Sequence, residues 1–146
     1  MARASRRCAA ARSGSPSRRE LAGYLGVALD SEGTIADAAG RLVAQGAAEL
    51  VAVTLGDDGA LLAGRDLLVR LPVPSVQVQS TVGAGDSFLA ALVIRLAEGL
   101  DPVAAFRWAV AAGSAAVMTA GTELCRRADV ERIYEEIERS YSEALN

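Results

Sequence analysis

The apolar positions change period several times along the chain. Ile35, Ala38, Ala39, Leu42 and Val43 recur at helical spacing and Gly46 follows as a stop, so a helix is expected from about Glu32 to Gln45. Leu50–Leu55 is instead a continuous Val-rich run, which suits a strand buried on both faces of a parallel sheet. Gly56-Asp57-Asp58-Gly59 turns the chain, and Ala60–Ala63 and Asp66–Leu71 read as two strands joined around Gly64-Arg65. Pro72 and Pro74 lead into Val76–Gln79, whose alternation suits an edge strand. A long apolar stretch then runs from Ser87 to Glu98 and ends at Gly99. Asp101-Pro102 has the form of an N-cap followed by proline at the first helical position, opening a helix to about Met118. Its Ala109, Ala112, Gly113 and Ala116 are small, so a neighbour or a ligand can approach closely. The last helix is expected over about Asp129–Leu145, with Val130, Ile133, Tyr134, Ile137 and Tyr141 on one stripe. Near the N-terminus, Ser17-Arg18-Arg19-Glu20 has the S-x-x-E form of a capping box ahead of Leu21, Tyr24 and Leu25, so a short helix is expected there.

Helix, strand, hairpin, strand and three helices make an α/β order. About four short strands with no obvious partner sheet suggest part of a larger fold. No run of 18 apolar residues exists, so no membrane span is expected.

Composition narrows the chemistry. Of the 146 residues 51% are hydrophobic, enough for one domain's core, and all 15 basic residues are arginine. The chain holds no Lys and no His, which excludes Ser-His-Asp and Cys-His machinery, imidazole metal ligands, Schiff bases and a Walker A lysine. Acid–base work therefore falls to a carboxylate, with arginine or backbone N–H groups as electrostatic partners. The net charge is −3, but Arg3, Arg6, Arg7, Arg12, Arg18 and Arg19 put +6 in the first 19 residues, leaving −9 for the rest. An acidic body gives no footprint for nucleic acid. Residues 1–16 lack a periodic apolar face and are expected to be disordered, with the ordered domain at 17–146. Their composition is that of a transit peptide, or of an N-terminus from a truncated or frame-shifted reading frame in a genome favouring Arg and Ala codons. Cys8 and Cys125 have no motif spacing and read as free thiols of a cytoplasmic protein.

Gly83-Ala84-Gly85-Asp86 concentrates the candidate chemistry. Two glycines let a ligand approach the backbone, and the amides at the start of the following helix would point outward at an anion. Asp86 beside them is either a helix cap or a functional carboxylate.

Ser80-Thr81-Val82-Gly83-Ala84-Gly85-Asp86-Ser87-Phe88 resembles the C-terminal signature of the ribokinase/PfkB carbohydrate kinase family. Val53–Ala60 is similar to that family's T/S-x-G-x-x-G nucleotide loop, and Ala111–Ala116 and Gly121–Cys125 resemble its type 2 6-phosphofructokinase branch. The resemblance covers about residues 16–140. It implies the C-terminal half of a ribokinase-like three-layer α/β/α fold, and phosphoryl transfer from ATP with Mg2+ to a sugar-phosphate hydroxyl, most like fructose 6-phosphate to fructose 1,6-bisphosphate. A nucleotide-binding fragment without turnover is the alternative. The resemblance makes Asp86 the catalytic base at the substrate, and Gly83, Ala84 and Gly85 the anion hole. Thr54, Gly56, Asp57, Gly59, Val110 and Ser114 fall at ATP-binding positions. Ser80, Val82, Ala116, Thr119, Gly121 and Glu123 fall at positions for a monovalent cation such as K+, with Thr119 replacing an Asn. The implied partners are a sugar phosphate and either the remaining half of the fold, in trans, or a second copy. The family's K-P-N segment aligns with Ser15-Pro16-Ser17, so its Lys and Asn are lost, and its acidic magnesium motif has no counterpart.

Overall fold

The computed structural model describes residues 18–26, 28–121 and 123–144. The expected disorder of residues 1–16, the Ser17 cap, Cys8 and the segment aligned with K-P-N lie outside the described residues. Helix α1 spans Arg18–Leu25 and α2 spans Glu32–Ala44. Three strands follow, β1 at Leu50–Thr54, β2 at Ala60–Gly64 and β3 at Leu67–Leu71. Helices α3 at Ala84–Ala97, α4 at Pro102–Val117 and α5 at Arg127–Ala144 complete the chain.

The sheet corrects one expectation. β1 pairs antiparallel with β2, Ala52 opposite Leu62, and β2 pairs antiparallel with β3, Leu62 opposite Val69. The connection from β1 to β2 is a single 3-10 turn at Gly56–Asp58, far shorter than the dozen or so residues a parallel crossover needs. β1 is nonetheless buried on both faces, as its Val-rich run requires. The expected strand at Val76–Gln79 does not form. Pro72 and Pro74 remove ladder donors just upstream, and Gln79 N donates to Val117 O of α4 at 2.7 Å instead of to a neighbouring strand.

Alternation along the strands builds two cores. Val51, Val53, Leu61 and Ala63 face Leu21 of α1 and Ile35, Ala38 and Ala39 of α2. Ala52, Ala60, Leu62 and Leu71 face Phe106, Ala109 and Val110 of α4, with Phe88, Leu92, Ile133 and Ile137 from α3 and α5. Helices therefore cover both faces of the sheet, the three-layer arrangement. α4 is apolar nearly all round and so lies in the core. Phe106 is fully buried, worth about 1.5–3 kcal/mol relative to exposure.

The helix ends follow local chemistry. Asp101 Oδ2 accepts from Val103 N at 3.0 Å and Ala104 N at 3.2 Å, the cap expected from Asp101-Pro102. α2 is opened by a capping box the pattern did not announce. Thr34 N donates to Ser31 Oγ at 3.3 Å, and Ser31 N donates to Thr34 Oγ1 at 3.1 Å, so a threonine does what glutamate usually does. Across α3, α4 and α5 the Arg95 guanidinium lies 4.1 Å from the Trp108 ring, and Trp108 stacks on Tyr134 at 4.0 Å. Burial, then a hydrogen bond to Glu138, push the Tyr134 hydroxyl above its usual range. Glu138 Oε1 also lies 2.7 Å from Arg107 Nε, an ion pair in which the N–H does not point at the oxygen. This ladder ties α5 to α4 and α3, which carries the candidate site.

Candidate functional site

The site starts at the N-terminus of α3. Gly83 is its N-cap at φ 81°, a left-handed conformation costing a residue with Cβ about 1–2 kcal/mol. Nothing lies within 4 Å of a Cβ placed on Gly83 or Gly85, so Gly83 is needed for its dihedral, and Gly85 leaves open space over the first turn. Ser87 N makes the first helical bond, to Gly83 O at 2.9 Å. Ala84 N has only a long 3.5 Å contact to Thr81 O, and among the described residues the amides of Gly85 and Asp86 have no acceptor. Two successive N–H groups, of Gly85 and Asp86, thus stay open at the positive end of a helix dipole, an arrangement of backbone donors that suits an anion.

Asp86 sits at the third position of α3, exposed, with no hydrogen bond or ion pair among the described residues. It does not cap the helix. Its carboxylate stands beside the open amides.

Two contacts fix this loop. A Cβ on Gly113 of α4 would lie 3.3 Å from Ala84 O and 3.4 Å from Phe88 Cβ, so the small residue lets α4 touch the first turn of α3. Gln79 N and Ser80 N both donate to Val117 O, at 2.7 and 3.2 Å, and Ser80 Oγ accepts from Val82 N at 3.2 Å. The structure therefore brings Ser80 and Ala84 against the C-terminal half of α4, and leaves Val82, Gly83 and Asp86 exposed beside them. Ala116, Thr119 and Glu123 meet at the turn after α4: Thr119 Oγ1 lies 2.9 Å from Ala116 O and 3.0 Å from Glu123 O. Gly121, at φ 64°, is exposed within it. The close approach at Gly113 is the one its small size led us to expect, whereas the Val117 carbonyl was not legible, because a backbone acceptor has no signature of its own.

The other candidates separate. Val110 and Ser114 are buried in α4, Val110 inside the main core. Thr54 is half-buried at the end of β1, whereas Gly56 and Asp57 are exposed in the 3-10 turn. Gly59 is buried at φ 99°, and a Cβ there would overlap the Leu71 carbonyl oxygen, so packing against β3 alone demands glycine. No hydrogen bond or ion pair among the described residues links Thr54–Gly59 to Gly83–Asp86. The groove of about 540 Å³ between Arg70–Ser75 and Glu136–Ala144 is lined by none of these site residues. Among the described residues no three His, Cys, Asp or Glu side chains converge as a metal cluster, and no helix is long and apolar enough to cross a membrane.

Comparison with known proteins supplies the context for this loop. The pfkB family carbohydrate kinase model matches residues 6–129, starting inside the arginine-rich segment and stopping at the first turn of α5. The chain is 38% identical over 124 residues to ATP-dependent 6-phosphofructokinase isozyme 2 of Escherichia coli, covering 85% of this chain and 40% of that protein. It is 41% identical over 117 residues to the isozyme 2 of Mycobacterium tuberculosis, covering 80% and 34%. The crystal structure of the Escherichia coli phosphofructokinase-2 in complex with potassium superposes with a TM-score of 0.82 at 38% identity, again over 85% of this chain and 40% of that one. The chain thus spans about two fifths of the length of these relatives, and the ribokinase-like fold is matched in that part. With the family match running through both the Gly83–Asp86 loop and the helix packed against it, the chain belongs to the pfkB family of carbohydrate kinases.

Proposed function

We propose that this chain is the nucleotide-binding part of an ATP-dependent sugar-phosphate kinase, with fructose 6-phosphate as acceptor. The observation that carries the reading is the exposed, unpartnered Asp86 carboxylate beside the open amides of Gly85 and Asp86 at the start of α3. Phosphoryl transfer is mainly positioning and electrostatics, which such amides supply to the charge developing on the transferred group. Asp86 accepts the proton of the acceptor hydroxyl as its oxygen forms a bond to the γ-phosphorus. The bond from that phosphorus to the β–γ bridging oxygen breaks, and ADP leaves. Fructose 6-phosphate thereby becomes fructose 1,6-bisphosphate.

The open amides fit a polyphosphate, and Thr54, Gly56, Asp57 and Gly59, with Val110 and Ser114, are the proposed nucleotide contacts. Mg2+ binds mainly through phosphates and water, so it travels with ATP and neutralises phosphate charge rather than requiring a carboxylate cluster. Turnover requires the acceptor-binding remainder of the family fold, in the same chain or in trans. Alone, the chain binds nucleotide without transferring phosphate.

The test restores family length by joining a relative's N-terminal half, then supplies γ-labelled ATP. Label should appear in fructose bisphosphate. Transfer to a different sugar phosphate would move the acceptor assignment. Nucleotide binding without transfer to any sugar phosphate would favour the binding-only reading.

A further inference from the structure

Helix α3 carries little polarity for a helix at the surface. Between Ala84 and Ala97 its polar side chains are Asp86, Ser87 and Arg95. Arg95 is occupied, 4.1 Å from the Trp108 ring of α4 and 2.8 Å from Glu98. Phe88 and Leu92 are buried in the core shared with α4 and the sheet. The outer face is apolar as well. Asp86, Ala90, Val93, Ile94 and Ala97 are exposed, and their spacing puts them on one helical stripe. Val93 is 44% exposed and Ile94 54%. The other helices treat solvent differently: Asp37 and Arg41 are exposed on α2, and Arg132, Glu135 and Arg139 on α5. A helix that is apolar all round belongs inside a fold, because each apolar face needs another element to bury it. Among the described residues α3 has such elements on one side.

We propose that the Ala90–Ala97 stripe of α3 is the seam on which the acceptor-binding part of the kinase fold docks, through an uncharged, apolar face. Length points to that occupant. The chain spans 40% of the Escherichia coli relative and superposes on it with a TM-score of 0.82. A part that matches so well leaves uncovered the faces that the rest of such a fold buries. Position points the same way. The stripe runs up to Asp86, and an acceptor hydroxyl that gives its proton to Asp86 has to be held at this end of α3. A second copy fits poorly, because four side chains fall far short of the roughly 20–30 residues a side of a stable interface. Calling the docked part acceptor-binding rests on the proposed kinase function, whereas the seam itself rests on the stripe.

The test is urea unfolding of two proteins, the full chain alone and the full chain joined behind the N-terminal three fifths of the Escherichia coli isozyme 2. Alone, Ile94→Glu should change the unfolding equilibrium constant by no more than about twofold, the usual reach of a surface substitution. Joined, the same substitution places an unpaired carboxylate in the seam and should raise the constant at least about a hundredfold. Ile94→Ala removes contacts without adding charge, so it should raise the constant about tenfold in the joined protein and leave it within about twofold in the chain alone. Equal effects of these substitutions in the two proteins would overturn the proposal, since the stripe would then face solvent in both. A dimer of the full chain alone that Ile94→Glu dissociates would overturn it too, by making a second copy the occupant. If the joined Ile94→Glu protein does not fold, Ile94→Ala decides. Neither arm uses ATP or sugar phosphate, so a failure of the kinase reading would appear as absent label transfer with the unfolding difference intact.

Discussion

Asp86→Asn, made in a chain restored to family length, should lower kcat by about 10²–10⁴-fold, the usual contribution of a general base. Asparagine keeps the size and the hydrogen-bonding capacity of the side chain but cannot take the proton. Asp86 makes no cap and no ion pair among the described residues, so its loss removes no folding contact. Melting temperature should therefore stay close to wild type. ATP affinity should also barely change, because the backbone amides of Gly85 and of residue 86 are untouched. Steady-state kinetics alongside thermal melting separates the two roles. Near-normal turnover with reduced stability would make Asp86 a structural residue and remove the base from the mechanism.

Gly59→Ala should cost about 4 kcal/mol of folding stability, combining left-handed strain with overpacking. At φ 99° the backbone already disfavours a side chain, and the added Cβ would run into the Leu71 carbonyl with Pro72 Cα at 3.0 Å. Both obstacles are backbone, so no rotamer change relieves them. Gly56 provides the control. Its φ is 61° with nothing within 4 Å of a Cβ, so Gly56→Ala should cost only about 1 kcal/mol. Urea unfolding of the full chain measures both. Equal costs would mean that the β1–β2 turn is not held against β3 as described. A loss near 4 kcal/mol is a large part of the usual 5–15 kcal/mol, which explains how a glycine resembling a nucleotide-loop residue can be required for folding alone.

What the sequence made legible depended on whether the determinant was local. α2 and α4 were readable because helical spacing and the Asp101-Pro102 cap lie within a few residues of each other. The hairpin of β2 and β3 was readable from Gly64-Arg65. The direction of β1 was not, since a Val-rich run reports burial and says nothing of the partner strand. The shortness of Gly56–Asp58 was the available signal for antiparallel pairing. Val76–Gln79 alternates like a strand, but its amide finds Val117 O across the fold, a competition no periodicity displays. In the site, Gly83–Asp86 was legible because glycine and a carboxylate before a helix are chemically distinctive. Gly113 was legible as a small residue that lets a neighbour approach, while Val117 was not, because it acts through a backbone oxygen that meets donors from another segment.

Binding of magnesium-ATP to the full chain, followed by isothermal titration calorimetry, tests the central claim most directly. One site per chain is expected. Gly85→Val should keep the fold, since a Cβ at Gly85 meets nothing within 4 Å. Its side chain would nevertheless stand over the open amides, so ATP affinity should fall about ten- to hundredfold, the value of a hydrogen bond to a charged phosphate. No ATP binding by the wild-type chain, or undiminished binding by Gly85→Val, would contradict the assignment of the α3 N-terminus as the phosphate site.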